Sequence, residues 1–505
     1  MTSMLRSSTV SDILRRSAAR VPNRTALRFA EREWTYRELD AAVTRAAAHL
    51  LSLGLRHGDR VAAYGKNSDA YLIGFLACAR AGLVHVPVNF NLTGEELGYL
   101  VEQSGSSVAL VDPGLRGNVD ALGLALKHVL PLRDADASLL EVARESTTPS
   151  LDVEVADTDL AQLLYTSGTT SRPKGAMMTH RALVHEYVSC MVDLDLTEHD
   201  APLHVMPLYH SAQLHVFLMP WLAVGATNTL LEVPDPNEIL RRLSAERHGA
   251  FFAAPTLWVA LANHPEFGEH DLSALRKAYY GASIMPGPVL ERLREAMPEL
   301  GFYNCFGQSE IAPLATVLRP EEHEQRPDSA GRPVLFVELR VVDPDGNDVA
   351  PGEQGEVVYR SPQLCEGYWD KPEETEEAFR DGWFHSGDLV RIDEEGYIYV
   401  VDRIKDVINT GGVLVASREV EDALYTHPAV GEVAVVGLPD EKWIEAITAV
   451  VVPKGEVSED ELLGHVRGKL SSFKLPKAVR FVDDLPRNAS GKILKRELRD
   501  RFAAS

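Results

Sequence analysis

Apolar residues recur along this chain on two periods, about 3.6 residues and about 2, and the switches between them mark out the elements. Leu39, Val43, Ala47, Leu50 and Leu51 follow the helical period across Thr35–Leu53. Thr35 with Glu38 three residues on is a capping-box pattern for its start. An amphipathic helix is expected at Val10–Arg20. Arg60–Tyr64 reads as a strand, Asp69–Ala81 as a helix, Val84–Val88 as a strand, Thr93–Gln103 as a second capped helix and Ser107–Val111 as a strand. Such alternation predicts βα units around a largely parallel sheet. From Gly331 to Tyr359 the pattern turns to short β segments with Asp345-Gly346 and Pro351-Gly352 turns, an antiparallel or barrel-like piece.

Val401–Asp406 follows the apolar run Tyr397–Val401 and is the best linker candidate. Beyond it come a helix (Arg418–Tyr425), β runs at Glu432–Val436 and Ala446–Val452, a helix (Glu459–Leu470) and a basic tail, Phe473–Arg501. About 100 residues suffice for a small domain. The fold class expected is α/β: a large N-terminal domain (1–402) of stacked α/β subdomains plus a β-rich subdomain, and a small α+β C-terminal domain (403–505).

Composition narrows the function. A length of 505 residues calls for more than one core. A net charge of −23 argues against nucleic-acid partners, whose phosphates demand a basic surface. The 4 cysteines are scattered, as expected of reduced thiols. The 17 histidines show no tight metal-ligand spacing. No apolar run reaches membrane-spanning length, and a signal-peptide core is missing, so a cytoplasmic protein is expected.

The candidate chemistry begins at Tyr165–Gly175, where five Ser/Thr hydroxyls, two glycines and Lys174 sit between an apolar run (Leu160–Leu164) and a helix-like segment from Thr179. Glycines admit backbone N–H groups to an anion, hydroxyls donate, and the lysine adds a point charge, so a polyphosphate is the expected ligand. The order is not that of a Walker A loop, because Gly175 follows Lys174. Phe306–Glu310 follows a β-like run, where Phe306 suits a base and Glu310 suits Mg²⁺. Gly382–Asp388 places a carboxylate at the end of an aromatic-rich strand or turn, suited to ribose hydroxyls. Pro486–Lys492 presents one lysine on a turn.

Together with Tyr280–Ser283 and Asp402–Asp406, and in this order, these segments closely resemble the motifs of the acyl-adenylate-forming superfamily. That family includes acyl-CoA synthetases, luciferases and the adenylation domains of peptide synthetases. The resemblance runs from Trp34–Leu39 to Gly491–Leu494, and Glu366–Trp369 and Val436–Asp440 point to the fatty-acyl and aryl-acyl-CoA synthetases. It implies an ATP-dependent ligase of fatty-acid or secondary metabolism, activating a mainly apolar carboxylic acid as acyl-AMP and passing it to coenzyme A. By resemblance, Thr166, Ser167, Gly168, Thr169, Thr170 and Lys174 cradle the phosphates, and Thr166 and Glu310 approach Mg²⁺. Gly281, Ala282 and Ser283 line the adenine and acyl sites, Phe306, Gly307, Gln308 and Ser309 meet the nucleotide, and Asp388 and Arg403 hold the ribose. Lys492 bridges the carboxylate and AMP oxygens, His210 borders the acyl pocket, Gly411 and Gly412 flank the CoA tunnel, and Lys405 is the hinge of a mobile C-terminal domain. Trp221 and Trp258 are further acyl-pocket candidates, though buried aromatics more often fill a core.

The chain also departs from the pattern. Ser171 stands for a glycine, Val413-Leu414 for Glu-Asn, Ala416-Ser417 for Tyr-Pro, and Ile444 for a glycine. Three alternatives therefore stay open beside the full ligase. One is a half-reaction specialist that converts preformed acyl-AMP to acyl-CoA, or has the reverse bias, with a partner enzyme supplying the other half. Another is a non-catalytic acyl-adenylate-binding protein, against which the retained Lys174, Glu310, Asp388, Arg403 and Lys492 argue. The last is transfer to a carrier-protein thiol. A homodimer is equally open.

Overall fold

The helical period after Thr35 becomes a helix at Tyr36–Ser52, with Leu39, Val43, Ala47 and Leu50 fully buried. Its capping box forms: Glu38 N donates to Thr35 Oγ1 at 3.2 Å and Thr35 N to Glu38 Oε2 at 2.8 Å. The structure, a computed structural model, describes residues 8–166, 172–282, 285, 287–440, 442–487 and 493–503. Val10–Arg20, Arg60–Tyr64, Asp69–Ala81 and Val84–Val88 take the expected forms at the expected bounds. Gly94–Gln103 is a helix as well, but Thr93 makes no side-chain cap bond; burial of Leu97, Leu100 and Val101 anchors it instead.

Two largely parallel sheets carry the alternating pattern. In the six-stranded sheet, His128–Pro131, Val108–Val111, Arg60–Tyr64, Val84–Val88 and Leu160–Thr166 run parallel, and Lys174–Thr179 returns antiparallel beside the last. In the nine-stranded sheet six consecutive strands are parallel: Gly301–Gly307, Lys277–Gly281, Ala250–Phe252, Pro202–His204, Asn228–Leu230 and Thr25–Phe29. Parallel strands bring their carboxyl ends to one edge, the edge where α/β sheets bind ligands. His204, Gly281 and Gly307 end strands there.

Five further strands, Glu338–Val342, Gln354–Arg360, Phe379–Arg380, Trp383–Ile392 and Ile398–Arg403, make the β-rich piece. Another five-stranded sheet is built on the long Val430–Asp440 and Ile444–Pro453 hairpin. The expected linker is ordered secondary structure: the strand Ile398–Arg403 runs into a 3₁₀ turn at Ile404–Asp406. The basic tail contributes the strand Ala478–Phe481, parallel to Ile444–Pro453, and the helix Lys495–Ala503. Among the described residues, one compact unit comprises 8–166, 173–338 and 359–384, and another comprises 339–358 and 385–503.

Trp221 and Trp258 are core. Both are fully enclosed, and each indole N–H is spent inside the fold, on Asp200 Oδ2 at 3.0 Å and Tyr279 O at 3.1 Å. All four cysteines are free and buried. No helix among the described residues is long and apolar enough to cross a membrane.

Candidate active site

Thr166 ends one strand and Lys174 begins the next, and the antiparallel register sets them opposite each other. Residues 167–171, the centre of the expected phosphate loop, lie outside the described residues; its two stems are fixed. Tyr99 Oη donates to Pro173 O at 3.1 Å. The Tyr165 hydroxyl donates to Gln103, whose amide nitrogen donates to Trp369 O at 2.9 Å. Residues 365–369 lie alongside the second stem: Met177 N donates to Gly367 O at 2.9 Å and Trp369 N to Gly175 O at 2.8 Å.

The same segment holds Glu310. Cys365 N donates to Glu310 O at 2.9 Å, and Tyr368 Oη donates to Glu310 Oε1 at 3.0 Å. Glu310 sits buried in the 3₁₀ turn Ser309–Ile311, which packs on both loop stems. Lys174 Nζ lies 5.0 Å from the centre of the Tyr368 ring. Just past the turn, the fully buried Glu186 accepts Leu314 N at 3.0 Å and Gln363 Nε2 at 2.6 Å, and Gln363 takes Ser189 Oγ at 2.6 Å. Burial pushes the Glu186 carboxyl well above the usual carboxylate range.

At the carboxyl edge of the larger sheet, Gly281 pairs with Cys305, and a Cβ on Gly281 would lie 2.2 Å from the Cys305 carbonyl oxygen. Gly307 has φ 156°, and its Cβ would meet Pro313 O at 2.0 Å, so both positions demand glycine. Ala282 adopts a left-handed φ of 64°. Ser283 lies outside the described residues. Phe306 is half-buried at the strand end, and Gln308 Nε2 is buried with no hydrogen-bond partner among the described residues. A buried donor of this kind calls for a ligand or water. Ser211 Oγ lies 3.1 Å from Ser309 Oγ, which joins the turn carrying His210 to the Glu310 turn. Burial lowers the His210 pKa, favouring a neutral ring.

In the second unit, Asp388 and Arg403 are register partners on neighbouring strands, with Arg403 Nε 2.5 Å from Asp388 Oδ1. Asp388 is mid-strand, not at a strand end or turn as expected, because Phe384, Ser386, Asp388 and Val390 continue one inward-facing period-2 row. Gly411 and Gly412 link the strands Ile408–Thr410 and Val413–Val415, and Gly411 N donates to Trp443 O at 2.5 Å. Val413, Leu414 and Ile444 are 44, 70 and 57% exposed. Lys405 is exposed on its 3₁₀ turn between two anchored acids. Asp402 Oδ2 accepts Ser417 N and Ser417 Oγ, each at 2.7 Å, and Asp406 Oδ1 accepts Arg499 at 2.6 Å. Lys492 lies outside the described residues. The helix that follows it is tied down by Lys495, which reaches Glu421 at 2.7 Å and Ser417 Oγ at 2.6 Å.

Residues 14–369 match the AMP-binding enzyme family, and 419–492 match the AMP-binding enzyme C-terminal domain. The chain belongs to the AMP-binding enzyme family. It is 41% identical over 489 residues to a feruloyl-CoA synthase of Amycolatopsis sp, covering 96% of this chain and 98% of that one. It is 34% identical over 507 residues to an indoleacetate–CoA ligase of Aromatoleum aromaticum, covering 98% of each. ATP-bound MatB from Rhodopseudomonas palustris superposes with a TM-score of 0.90 at 31% identity, over 98% of this chain and 99% of that one. Within the family this AMP-binding enzyme is an acyl-CoA synthetase of the acyl-adenylate-forming superfamily, an acyl-CoA ligase working through an adenylate with ATP and CoA as substrates.

Sequence reading of this AMP-binding enzyme passed over Tyr368, Glu186 and Gln363. Tyr368 lay within a segment noted only for its resemblance to one branch. Glu186 falls mid-helix, where a glutamate ordinarily faces water, and its burial depends on contacts far along the chain.

Proposed function

We propose that this enzyme joins an aryl-bearing, mainly apolar carboxylic acid to CoA in two steps. The observation that carries the reading is the convergence of Thr166, Lys174 and Glu310 beside a glycine-lined strand edge. The near full-length likeness to enzymes named for ferulate and indoleacetate supports an aryl acid. In the first step a substrate carboxylate oxygen bonds to the α-phosphorus of ATP, and the bond to pyrophosphate breaks. In the second a thiol loses its proton to solvent, its sulfur bonds to the acyl carbon, and the bond to AMP breaks, releasing AMP with that electron pair. No protein nucleophile is needed, so the residues act by position and charge.

On this reading Thr166–Thr170 and Lys174 hold the phosphates. Gly281, Ala282 and Ser283 let the adenine and acyl groups approach the backbone, and Phe306–Ser309 contact the nucleotide. His210 is a neutral wall of the acyl pocket, Asp388 and Arg403 hold the ribose, and Lys492 steadies the reacting oxygens. For Mg²⁺ the donor set is one buried carboxylate, Glu310, with the Thr166 hydroxyl. The described residues offer no cluster of three or more metal-binding side chains. That fits an ion carried in on phosphates, since Mg²⁺ is held by one or two carboxylates plus substrate oxygens. When bound, it neutralises charge on the phosphoryl oxygens.

The second reading, a bias toward one half-reaction, is favoured by the exposed Val413, Leu414 and Ile444 beside Gly411 and Gly412. Apolar side chains there alter access for the thiol, and a partner enzyme or a carrier-protein acceptor belongs with that reading. A hinge at Lys405, separating 1–402 from 403–505, is part of both. The test is a pair of assays: acid-dependent ATP–pyrophosphate exchange with a panel of aryl and fatty acids, and thioester formation from synthetic acyl-AMP plus CoA. Activity in both supports the full ligase. Thioester formation without exchange removes the adenylating assignment, and tight acyl-AMP binding without either activity leaves a binding protein.

A further inference from the structure

Tyr368 stands between two groups of opposite charge and touches both. Its hydroxyl donates to Glu310 Oε1 at 3.0 Å, and its ring centre lies 5.0 Å from Lys174 Nζ. Among the described residues, Lys174 and Glu310 form no ion pair with each other. We propose that Tyr368 is a positioning residue for adenylation, holding Glu310 and Lys174 apart so that each stays available to the triphosphate and its metal. This rests on the roles given above to Glu310 and Lys174.

The chemistry of a tyrosine suits that position. A phenol donates one hydrogen bond to a carboxylate while leaving its charge intact, and the second oxygen stays free for a cation. A lysine or arginine there would neutralise Glu310; an aliphatic residue would leave Glu310 to draw in Lys174. The face of the ring also favours an ammonium over it. Tyr368 is placed firmly enough to act this way. Its N–H donates to Thr375 Oγ1 at 2.9 Å, its backbone bridges Ala176, and Trp369 N donates to Gly175 O at 2.8 Å. Three residues earlier, Cys365 N holds the Glu310 carbonyl at 2.9 Å. One short segment therefore fixes the main chain beside both charges and sets a side chain between them.

The test uses the full chain with Tyr368→Phe, Tyr368→Leu, Glu310→Gln and the Tyr368→Phe/Glu310→Gln double variant. Binding of α,β-methylene-ATP is followed by calorimetry across a Mg²⁺ series, beside ATP–pyrophosphate exchange and thermal melting. Tyr368→Phe keeps the ring and loses the hydroxyl; the Mg²⁺ concentration for half-maximal nucleotide binding should rise about tenfold, the lower range for a bond to a charged group. KM for the acid should hold. Tyr368→Leu should add a loss of nucleotide affinity at saturating Mg²⁺, as Lys174 turns toward Glu310. In the double variant the Mg²⁺ shift should not exceed that of Glu310→Gln alone, because both changes act through one carboxylate. A Tyr368→Phe protein that melts lower yet keeps the parent Mg²⁺ requirement would make Tyr368 a packing residue and overturn the proposal. An unchanged requirement in Glu310→Gln itself would instead remove the reading of Glu310 on which it rests.

Discussion

Gly281 shows how narrowly single positions are set. The Cys305 carbonyl oxygen would lie 2.2 Å from any Cβ there, and that oxygen is fixed in a strand ladder. Gly281→Ala must push two backbone segments apart. We expect a loss of about 1–3 kcal/mol in stability, read by urea unfolding, and ATP–pyrophosphate exchange below a tenth of the parent rate. Parent-like exchange would place the adenine and acyl groups away from this edge. Residue types alone marked Lys174, Glu310 and Asp388, because a cation and carboxylates beside glycines and hydroxyls suit phosphate, Mg²⁺ and ribose; Thr166 was one of five hydroxyls in its loop, and Arg403 took its role from the resemblance. Tyr368 was not legible in this way: its part depends on a contact with Glu310 58 positions away.

At the scale of elements, the period of the apolar residues located the elements expected between Val10 and Val111 to within a residue or two. Past Asp402 it located the helix Ser417–Tyr425 and the strands Val430–Asp440 and Ile444–Pro453, while the segment expected as a linker carries the 3₁₀ turn Ile404–Asp406. That turn is held at both ends. Asp402 takes Ser417 N and Oγ at 2.7 Å each, so a carboxylate before Lys405 caps the helix Ser417–Tyr425 after it. A proline at 417, as the family pattern has it, would lack that N–H. Asp406 is held below its ordinary pKa: burial pushes it up, but Lys495, Arg499 and Lys405 outweigh the effect. Asp402→Ala should cost about 1–2 kcal/mol, as loss of a helix cap does, measured by urea unfolding of the full chain. Lys405→Pro fixes φ where a rotation is proposed. Acyl-AMP formation should stay measurable while thioester formation from acyl-AMP collapses, and equal losses in both assays would remove the hinge from this position.

Across the whole molecule, the buried histidines tie stability to pH. His85 and Gln162 meet at 2.9 Å, Gln162 and His215 at 2.7 Å, and His215 and Tyr187 at 2.9 Å, a polar chain through the core behind the strand that carries Thr166. Burial lowers the pKa of His85 and His215 to about 3, and those of His204, His180 and His323 to about 4. Below the ordinary value of 6.5 the unfolded chain takes up protons that these folded imidazoles refuse. Their stabilisation is therefore complete above that pH and lost as pH falls toward 4 and then 3. Each contributes a slope of about 1.4 kcal/mol per pH unit within its window. Glu186 works the other way. Its raised pKa favours the fold below the ordinary carboxylate value and loses that contribution as pH rises through the folded value, so it offsets about one histidine. Asp193 and Glu421 are raised as well, but the histidines held below their ordinary value, His210 and His248 among them, outnumber the raised carboxyls and leave a net loss in acid. The urea midpoint should fall steadily from pH 6.5 to 4.5, and His85→Gln should flatten the slope by one histidine's share. A midpoint unchanged between pH 6.5 and 5 would mean that the core opens to water around these rings before the chain unfolds.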